Sequence, residues 1–487
     1  MTFEFTRNES HLRKVGYIQR QLQVAYYRAL AYTKRDQQDL PYRWAYFRLV
    51  KYIRSFLRGT GKNRLIMIPG LRGTGKTTLL WQLYRYLIEE EKIPHKYILF
   101  LPVDELRTLI GSNIYEAVSY YEELLGMRLE ELRAPVFIFL DEVTYDPNWP
   151  SAVKAIYDRT PMAFIVISGS SALALKTTPD LARRGVREIL YPLSMAEYIM
   201  LKYGKYLRRD FIGELKKAIF ESISPDRILQ RLDELYRELA GLGIDLRVIT
   251  TQYLKLGGLP FAISNEQEKI YEQVFDVIER VINKDFAVLY DMSEETREKA
   301  TMILAGISTN PPGPIAISNI ARDMGMKYEV ARKIFHAFEQ SLILYSIPPH
   351  AKGMAQIRKA YKYCFTTPTI RAALAYRLGW SPDDLLGHML EDAVLSTLVK
   401  LKTIHPKIVG IHYDPKKNNV DAIIEIRTIK GTISIPIETG WGYKEERQIK
   451  KAIKRLNSPY GIIIDNTPKP EQNKNIIHIP KHMFLLM

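Results

Sequence analysis

The stretch Gly70-Leu71-Arg72-Gly73-Thr74-Gly75-Lys76-Thr77 constrains this chain more than any other. It fits G-x-x-x-x-G-K-[ST] at every fixed position and follows a short apolar run, residues 65–68. The run reads as a strand feeding a loop whose backbone N–H groups wrap a phosphate, in conformations that a Cβ opposes and glycine permits. Lys76 is then expected to reach the outer phosphates, with the Thr77 hydroxyl on Mg²⁺. Residues 78–87 place Leu79, Leu80, Leu83, Tyr84 and Leu87 at helical spacing, so a helix N-terminus would face the same phosphates. The candidate nucleotide-binding set is Gly70, Gly73, Thr74, Gly75, Lys76, Thr77 and Thr78.

A loop motif of this length arises by chance, so it needs a partner. Val136-Phe137-Ile138-Phe139-Leu140-Asp141-Glu142 supplies one: five apolar residues, a buried parallel strand, closing on two carboxylates. Asp141 would complete the Mg²⁺ shell with Thr77, and Glu142 would orient the attacking water. A core strand ending in a solvated acidic turn is the plainer alternative.

At 487 residues the chain has room for several domains. One cysteine, Cys364, excludes an intrachain disulfide and a cysteine-cluster metal site. No stretch approaches the ~18 consecutive apolar residues of a membrane span. The N-terminus lacks a signal-peptide core, so a soluble, cytoplasmic protein with no membrane partner is expected. Charge is uneven: residues 1–64 carry 14 Lys/Arg against 4 Asp/Glu, and residues 351–487 carry 22 against 12, so each end is +10. The whole chain is +16, which leaves −4 for the middle. Two basic ends flanking a near-neutral core suit a polyanion, most simply nucleic acid; a Lys/Arg-rich thermophile-like surface is the alternative.

Taken in order, residues 11–35 and 42–58 read as two basic helices. In the second, Phe47, Val50, Ile53, Phe56 and Leu57 mark an apolar face. Strand runs at 64–68, 97–102, 136–140, 164–168 and 188–191 alternate with helices, which predicts a three-layer α/β domain with a parallel sheet. The fourth run ends in Ser168-Gly169-Ser170-Ser171. Ser168 or Ser170 either senses the terminal phosphate or merely belongs to a tight loop. Residues 196–300 are helical in pattern and read as a lid. Helices near 298–306, 317–324 and 327–340 and a strand at 342–347 follow, predicting a winged helix-turn-helix with Lys327, Arg332, Lys333 and His336 exposed. The last 130 residues run αβββαβ: helix 386–399, strands 407–413, 420–426 and 432–438, helix 444–456 and strand 461–465. Residues 467–475 read as a loop before a final strand, 476–479. Asp421 and Glu438 fall on adjacent strands with Glu391 on the helix, the oxygen ligands of a metal-dependent phosphodiesterase.

Together these landmarks resemble an AAA+-type ATPase family common in archaea. In it a P-loop core is followed by a lid, a winged helix and a domain similar to restriction endonucleases of the PD-(D/E)xK kind. Besides the loop and the acidic pair, the resemblance rests on Pro192-Leu193-Ser194 ahead of Glu197-Tyr198, Tyr253 with Gly257-Gly258-Leu259-Pro260, Lys284-Asp285, and Gly387 with Glu391. It implies a multidomain α/β chain: a basic helical region at 1–60, a P-loop AAA+-like core at 61–195, a helical lid at 196–293, a winged helix at 294–350 and a basic endonuclease-like domain at 351–487. It implies ATP and Mg²⁺ as cofactors, DNA as partner and a homo-oligomer. Arg184, eight residues before Pro192, would be an arginine finger acting in trans, and Arg183 stands where a glycine is common. The nuclease pattern is broken, because Glu438-Thr439-Gly440 has glycine where the lysine belongs. Lys444 would have to replace it, and the set Glu391, Asp421, Glu438 and Lys444 is read as a degenerate site. The expected activity is Mg²⁺-dependent ATP hydrolysis on DNA. An ATP-gated nuclease and a regulatory switch that docks a protein are the alternatives.

Overall fold

Four strand segments of the first half are apolar on both faces, and a strand can be so only where helices cover both sides of the sheet. In the computed structural model, which describes residues 2–169, 179–351, 353, 356, 359–416, 419–429 and 431–487, they form β1 (Leu65–Pro69), β2 (Ile98–Pro102), β3 (Val136–Asp141) and β4 (Ala163–Gly169). With β5 (Val186–Arg187) they make a parallel sheet in the order β2-β3-β4-β1-β5. The fifth strand lies earlier than residues 188–191, although Glu188 and Leu190 continue to donate N–H bonds to the carbonyls of Met67 and Pro69 on β1.

Alternate residues feed two cores. Leu65, Met67, Leu99, Leu101, Ile138 and Ile165 pack with α4 (Ile114–Leu125) and α5 (Trp149–Arg159). Ile66, Ile68, Phe100, Phe137, Phe139 and Phe164 pack with α2 (Trp44–Leu57) and α3 (Lys76–Glu89). The N-terminal helix α1 (Thr2–Thr33) joins both, giving Ile18 to the first and Ala25 and Ala29 to the second. Residues 1–60 are therefore part of the sheet domain rather than a separate basic region. Arg85 on α3 strengthens the join, donating to Thr33 Oγ1 at 3.0 Å and Asp39 Oδ1 at 2.5 Å. This unit covers Met1–Tyr191; the second covers Pro192–Met487.

The second unit opens with five helices of ten residues or so: α7 (Met195–Tyr203), α8 (Phe211–Glu221), α9 (Pro225–Leu239), α10 (Leu246–Leu256) and α11 (Gln267–Arg280); the short α6 (Pro179–Arg184) precedes them in the first unit. Next come α12 (Glu294–Thr309), β6 (Gly313–Ile315), α13 (Ile317–Asp323), α14 (Tyr328–Gln340), β7 (Leu344–Ile347) and β8 (Tyr361–Phe365). The three strands form an antiparallel sheet in the order β6-β8-β7. Its middle strand thus lies beyond residue 350, where the sequence suggested a boundary, because the two strands that pair are separated by a long hairpin connection.

After α15 (Pro368–Arg377) and α16 (Leu386–Ile404), strands β9 (Ile408–His412), β10 (Ala422–Thr428), β11 (Gly431–Thr439), β12 (Gly461–Asp465), β13 (Glu471–Asn473) and β14 (Ile476–Pro480) form a mixed sheet in the order β9-β10-β11-β12-β14-β13. Helix α17 (Arg447–Leu456) crosses between the parallel pair β11 and β12. The αβββαβ order is present. The stretch read as a loop holds β13, a short edge strand paired with β14.

Two nodes hold this unit together. Arg371 on α15 and Asp392 on α16, both fully buried, are paired at 2.5 Å. Arg371 also donates to the carbonyls of Ile307, Ser308 and Asn310, and Asp392 accepts the Phe365 amide at 3.0 Å. The other node gathers three of the landmark residues, Leu193, Tyr253 and Gly258. Leu193 N–H donates to Gly258 O at 2.9 Å, Tyr253 Oη donates to Leu193 O at 2.9 Å, and the Gly258 amide donates to Thr369 Oγ1 at 2.9 Å. A Cβ at Gly258 would sit 1.8 Å from Thr367 Oγ1, so this glycine is required by close backbone approach. Ser194 caps α7, accepting the Glu197 amide at 3.3 Å. These landmarks are packing devices.

Candidate functional site

Strand β4 lies between β1 and β3, so the loop after β1 and the acidic pair after β3 emerge at the carboxyl edge of the sheet on either side of it. Ligands of open α/β sheets bind at such an edge. The loop has the conformation its glycines suggest: Gly73 and Gly75 stand at φ +79° and +86°, where a side chain is strained. Gly70 is needed for space instead, since a Cβ there would lie 2.5 Å from Leu190 O. Gly75 caps α3, so the amides of its first turn, including Lys76, Thr77 and Thr78, face the loop. Thr74 is buried, its hydroxyl donating to Leu71 O at 2.8 Å and closing the turn. Lys76, also buried, donates to the carbonyls of Gly70 and Leu71 at 3.0 and 3.2 Å.

The acidic pair meets this loop. Thr77 Oγ1 donates to Asp141 Oδ2 at 2.7 Å, and Ser168 Oγ donates to Asp141 Oδ1. The Glu142 amide donates to Ser168 Oγ at 3.1 Å. Ser168 is fully buried and ties the acidic pair together through these bonds; Ser170 lies outside the described residues. Burial raises the Asp141 carboxyl above its ordinary range, while the bonds from Ser168 and Thr77 and the charge of Lys76 pull it back. Glu142 adopts φ +53°, ψ +48°, a left-handed conformation that costs a non-glycine residue roughly 1–2 kcal/mol. Such strain is retained where the position of the side chain matters. Arg72, from the loop itself, comes within 4.0 Å of Glu142 Oε1 and donates to Tyr145 Oη at 3.3 Å. The donor set at the loop, a hydroxyl and a carboxylate beside inward amides and a lysine, fits a nucleoside triphosphate with Mg²⁺, which takes one or two protein oxygens and completes its shell with phosphate.

One residue here escaped the sequence reading. Arg43, buried just before α2, donates to Thr74 O at 2.8 Å and to Tyr191 O at 2.9 Å. It braces the loop against the end of the sheet domain, from a position with no local motif. Arg184, at the end of α6, is paired with Asp158 on α5 through both oxygens, at 3.1 and 3.3 Å; Arg183 is exposed.

In the second unit the carboxylates Glu391, Asp421 and Glu438 gather at the start of α16, β10 and the end of β11, close enough that the charge of Asp421 raises both glutamates. Burial is the larger cause and lifts Glu391 to about 8 and Glu438 to about 7. Lysines answer them. Lys444 Nζ lies 2.8 Å from Glu438 Oε1, and a Cβ at Gly440 would meet Lys444 Cδ at 3.0 Å, so this lysine fills the space beside the glycine. Lys362 on β8, absent from the sequence reading, lies 2.5 Å from Glu391 Oε1 and donates to Asp421 O at 3.1 Å. Its signal was a lone cation in the run Tyr361-Lys362-Tyr363-Cys364-Phe365. Asp421 Oδ2 accepts from Thr439 N and Oγ1 at 2.7 and 2.6 Å. Among the described residues no group of three or more His, Cys, Asp or Glu side chains is disposed to hold a metal ion, and no helix is long and apolar enough to cross a membrane.

Residues 62–199 match the AAA domain family, and residues 249–384 match a domain of unknown function (DUF8612). The fold and the loop of the first unit are thus those of a P-loop domain that matches the AAA domain family. Over 428 residues the chain is 32% identical to an uncharacterized protein of Methanocaldococcus jannaschii, covering 88% of this chain and 85% of that one; it belongs to the family of that protein. Among solved structures, the RuvB Holliday junction branch migration motor of Thermotoga maritima is similar with a TM-score of 0.27 and 15% identity, over 63% of this chain and 90% of that chain. C. elegans PCH-2 is similar with a TM-score of 0.25 and 17% identity, over 61% and 70%. Superpositions this loose carry nothing about activity.

Proposed function

We propose that the chain binds ATP with Mg²⁺ at the loop between β1 and α3, hydrolyses it, and acts on DNA. The observation that carries this is the bond from Thr77 to Asp141, with Glu142 held beside it through Ser168: two oxygen donors for a cation and a carboxylate for water, at the mouth of an amide-lined loop. The inward amides of Gly73 to Thr78 and Lys76 hold phosphate, Thr77 and Asp141 hold the cation, and Glu142 orients the attacking water. Mg²⁺, when bound, neutralises charge that builds on the phosphate oxygens. Arg184 acts in trans in this reading: it leaves Asp158 for the nucleotide of a neighbouring copy, and sizing with and without an ATP analogue tests that assembly. Lys76→Ala is expected to abolish nucleotide binding, and Glu142→Gln to bind ATP while turning it over at least 10²-fold more slowly. Unchanged turnover in both variants rejects the ATPase reading.

The helices α12, α13 and α14 and the sheet β6-β8-β7 support a winged helix, with Lys327, Arg332, Lys333 and His336 exposed. The last layer is read as an endonuclease-like fold that holds DNA without cutting it, because Lys362, Lys444 and Thr439 already engage its carboxylates. Cleavage of plasmid DNA in Mg²⁺ or Mn²⁺ that disappears in Asp421→Ala would establish an ATP-gated nuclease instead.

A further inference from the structure

Helix α17, Arg-Gln-Ile-Lys-Lys-Ala-Ile-Lys-Arg-Leu, divides sharply into two faces. Ile449, Ala452 and Ile453 are buried with Val420, Ile423, Ile463 and Ile476. The seat is tight: a Cβ at Gly461 on β12 would meet Ile449 Cγ1 at 2.7 Å. The outer face is cationic. Lys450 pairs with Glu446 at 2.7 Å and Arg455 pairs with Asp414. Arg447, Lys451 and Lys454 are exposed and make no ion pair among the described residues. They stand at i, i+4 and i+7, one stripe along the helix.

Like charges at this spacing weaken a helix, and an ordinary surface helix dilutes them with glutamate. Here the burden is kept on a helix that the sheet holds firmly, in a segment whose net charge is +10 over residues 351–487. The stripe also starts beside a marked place. Three residues before Arg447, Lys444 turns its ammonium to Glu438. Tyr443, 67% exposed, lies flat on His478 with ring centroids 5.3 Å apart and an interplanar angle of 6°. A row of cations without ion pairs on a helix held firmly against the sheet matches the run of charge along a phosphodiester backbone.

We propose that Arg447, Lys451 and Lys454 form a stripe that binds the phosphate backbone of duplex DNA and leads it past the Glu438–Lys444 pair. The inference rests on the reading that the protein acts on DNA and assigns the contact to this face. Each phosphate neutralised contributes about 0.9 log unit of affinity per tenfold change in salt.

The test is fluorescence anisotropy of a labelled 30-bp duplex with the full chain between 0.05 and 0.5 M salt, for wild type, Lys451→Gln and the triple variant Arg447→Gln/Lys451→Gln/Lys454→Gln. Removing the three contacts is expected to flatten the log–log slope by about 2.7, and the single change by about 0.9. If the curves converge at 1 M salt, the triple variant binds about 500-fold more weakly at 0.1 M. A thermal unfolding profile like that of wild type shows that the variant is folded. Wild-type binding with a slope change below about 0.5 in the triple variant overturns this assignment and leaves the DNA reading standing. No binding by wild type even at 0.05 M salt overturns both.

Discussion

Replacing Arg43 with methionine keeps most of the packed volume and removes both bonds to the loop brace, those to Thr74 O and Tyr191 O. A hydrogen bond from a charged donor contributes about 1.5–3 kcal/mol, and a buried carbonyl left without its partner loses a similar amount. Only the Thr74 bond bears directly on the phosphate loop, since the Tyr191 bond secures the segment after β5. The part of the loss that nucleotide binding can feel is therefore about 1.5–3 kcal/mol, a Kd weakened about 10- to 150-fold. Isothermal titration with ATP and Mg²⁺ measures it, alongside the unfolding temperature. Arg43→Lys should recover part of the loss, because an ammonium can reach one carbonyl but cannot fork to two. If Arg43→Met lowers the unfolding temperature yet leaves Kd within about twofold, the loop supports itself and the brace argument fails.

Arg371→Met strands a buried carboxylate and should cost about 3–5 kcal/mol in denaturant unfolding, with part recovered in Arg371→Met/Asp392→Leu; equal losses in the two variants would refute a paired-charge origin. Gly258→Ala drives a methyl into Thr367 and should destabilise the chain by about 1–3 kcal/mol or more, whereas Gly213→Ala, where a Cβ meets nothing within 4 Å, should not. His482 is buried near Arg247 and Lys481, and burial depresses its imidazole to about 4 from an ordinary 6.5. The folded state thus holds it neutral, so its contribution, about 3 kcal/mol, is full above pH 6.5 and is lost as pH falls from there through about 4. Hydrogen exchange of residues 481–487 should accelerate over that window and do so less in His482→Gln; an identical profile in the variant rejects the assignment.

The loop and the acidic pair were legible because their chemistry is local: fixed glycine spacing and an apolar run closing on Asp141 and Glu142. The other strands of the first sheet were legible for a similar reason, since continuous Ile, Phe and Val runs have few places to go in a doubly covered sheet. Arg43 was not, because its partner is 31 residues away and no periodicity links them. The seat of helix α1 was less legible because its tyrosines and arginines blur the apolar face, and only the fold shows Ile18 and Ala25 on opposite sides of a sheet. The bonds from Ser168 to the acidic pair were not legible, because the residue type gives no sign of the partner 27 residues away. Lys444 was found only as a conjecture, since the space beside Gly440 is a property of three dimensions.

The Gly258 contact with Thr369 and the Arg371–Asp392 pair have one further implication. Segments that sequence reading divides into lid, winged element and final layer are riveted at shared points, and Tyr460 adds another by donating to Ile219 O at 2.9 Å. Within that half of the molecule, any tilt given to the first helices would be inherited by the last, as in a crank whose arms are cast in one piece.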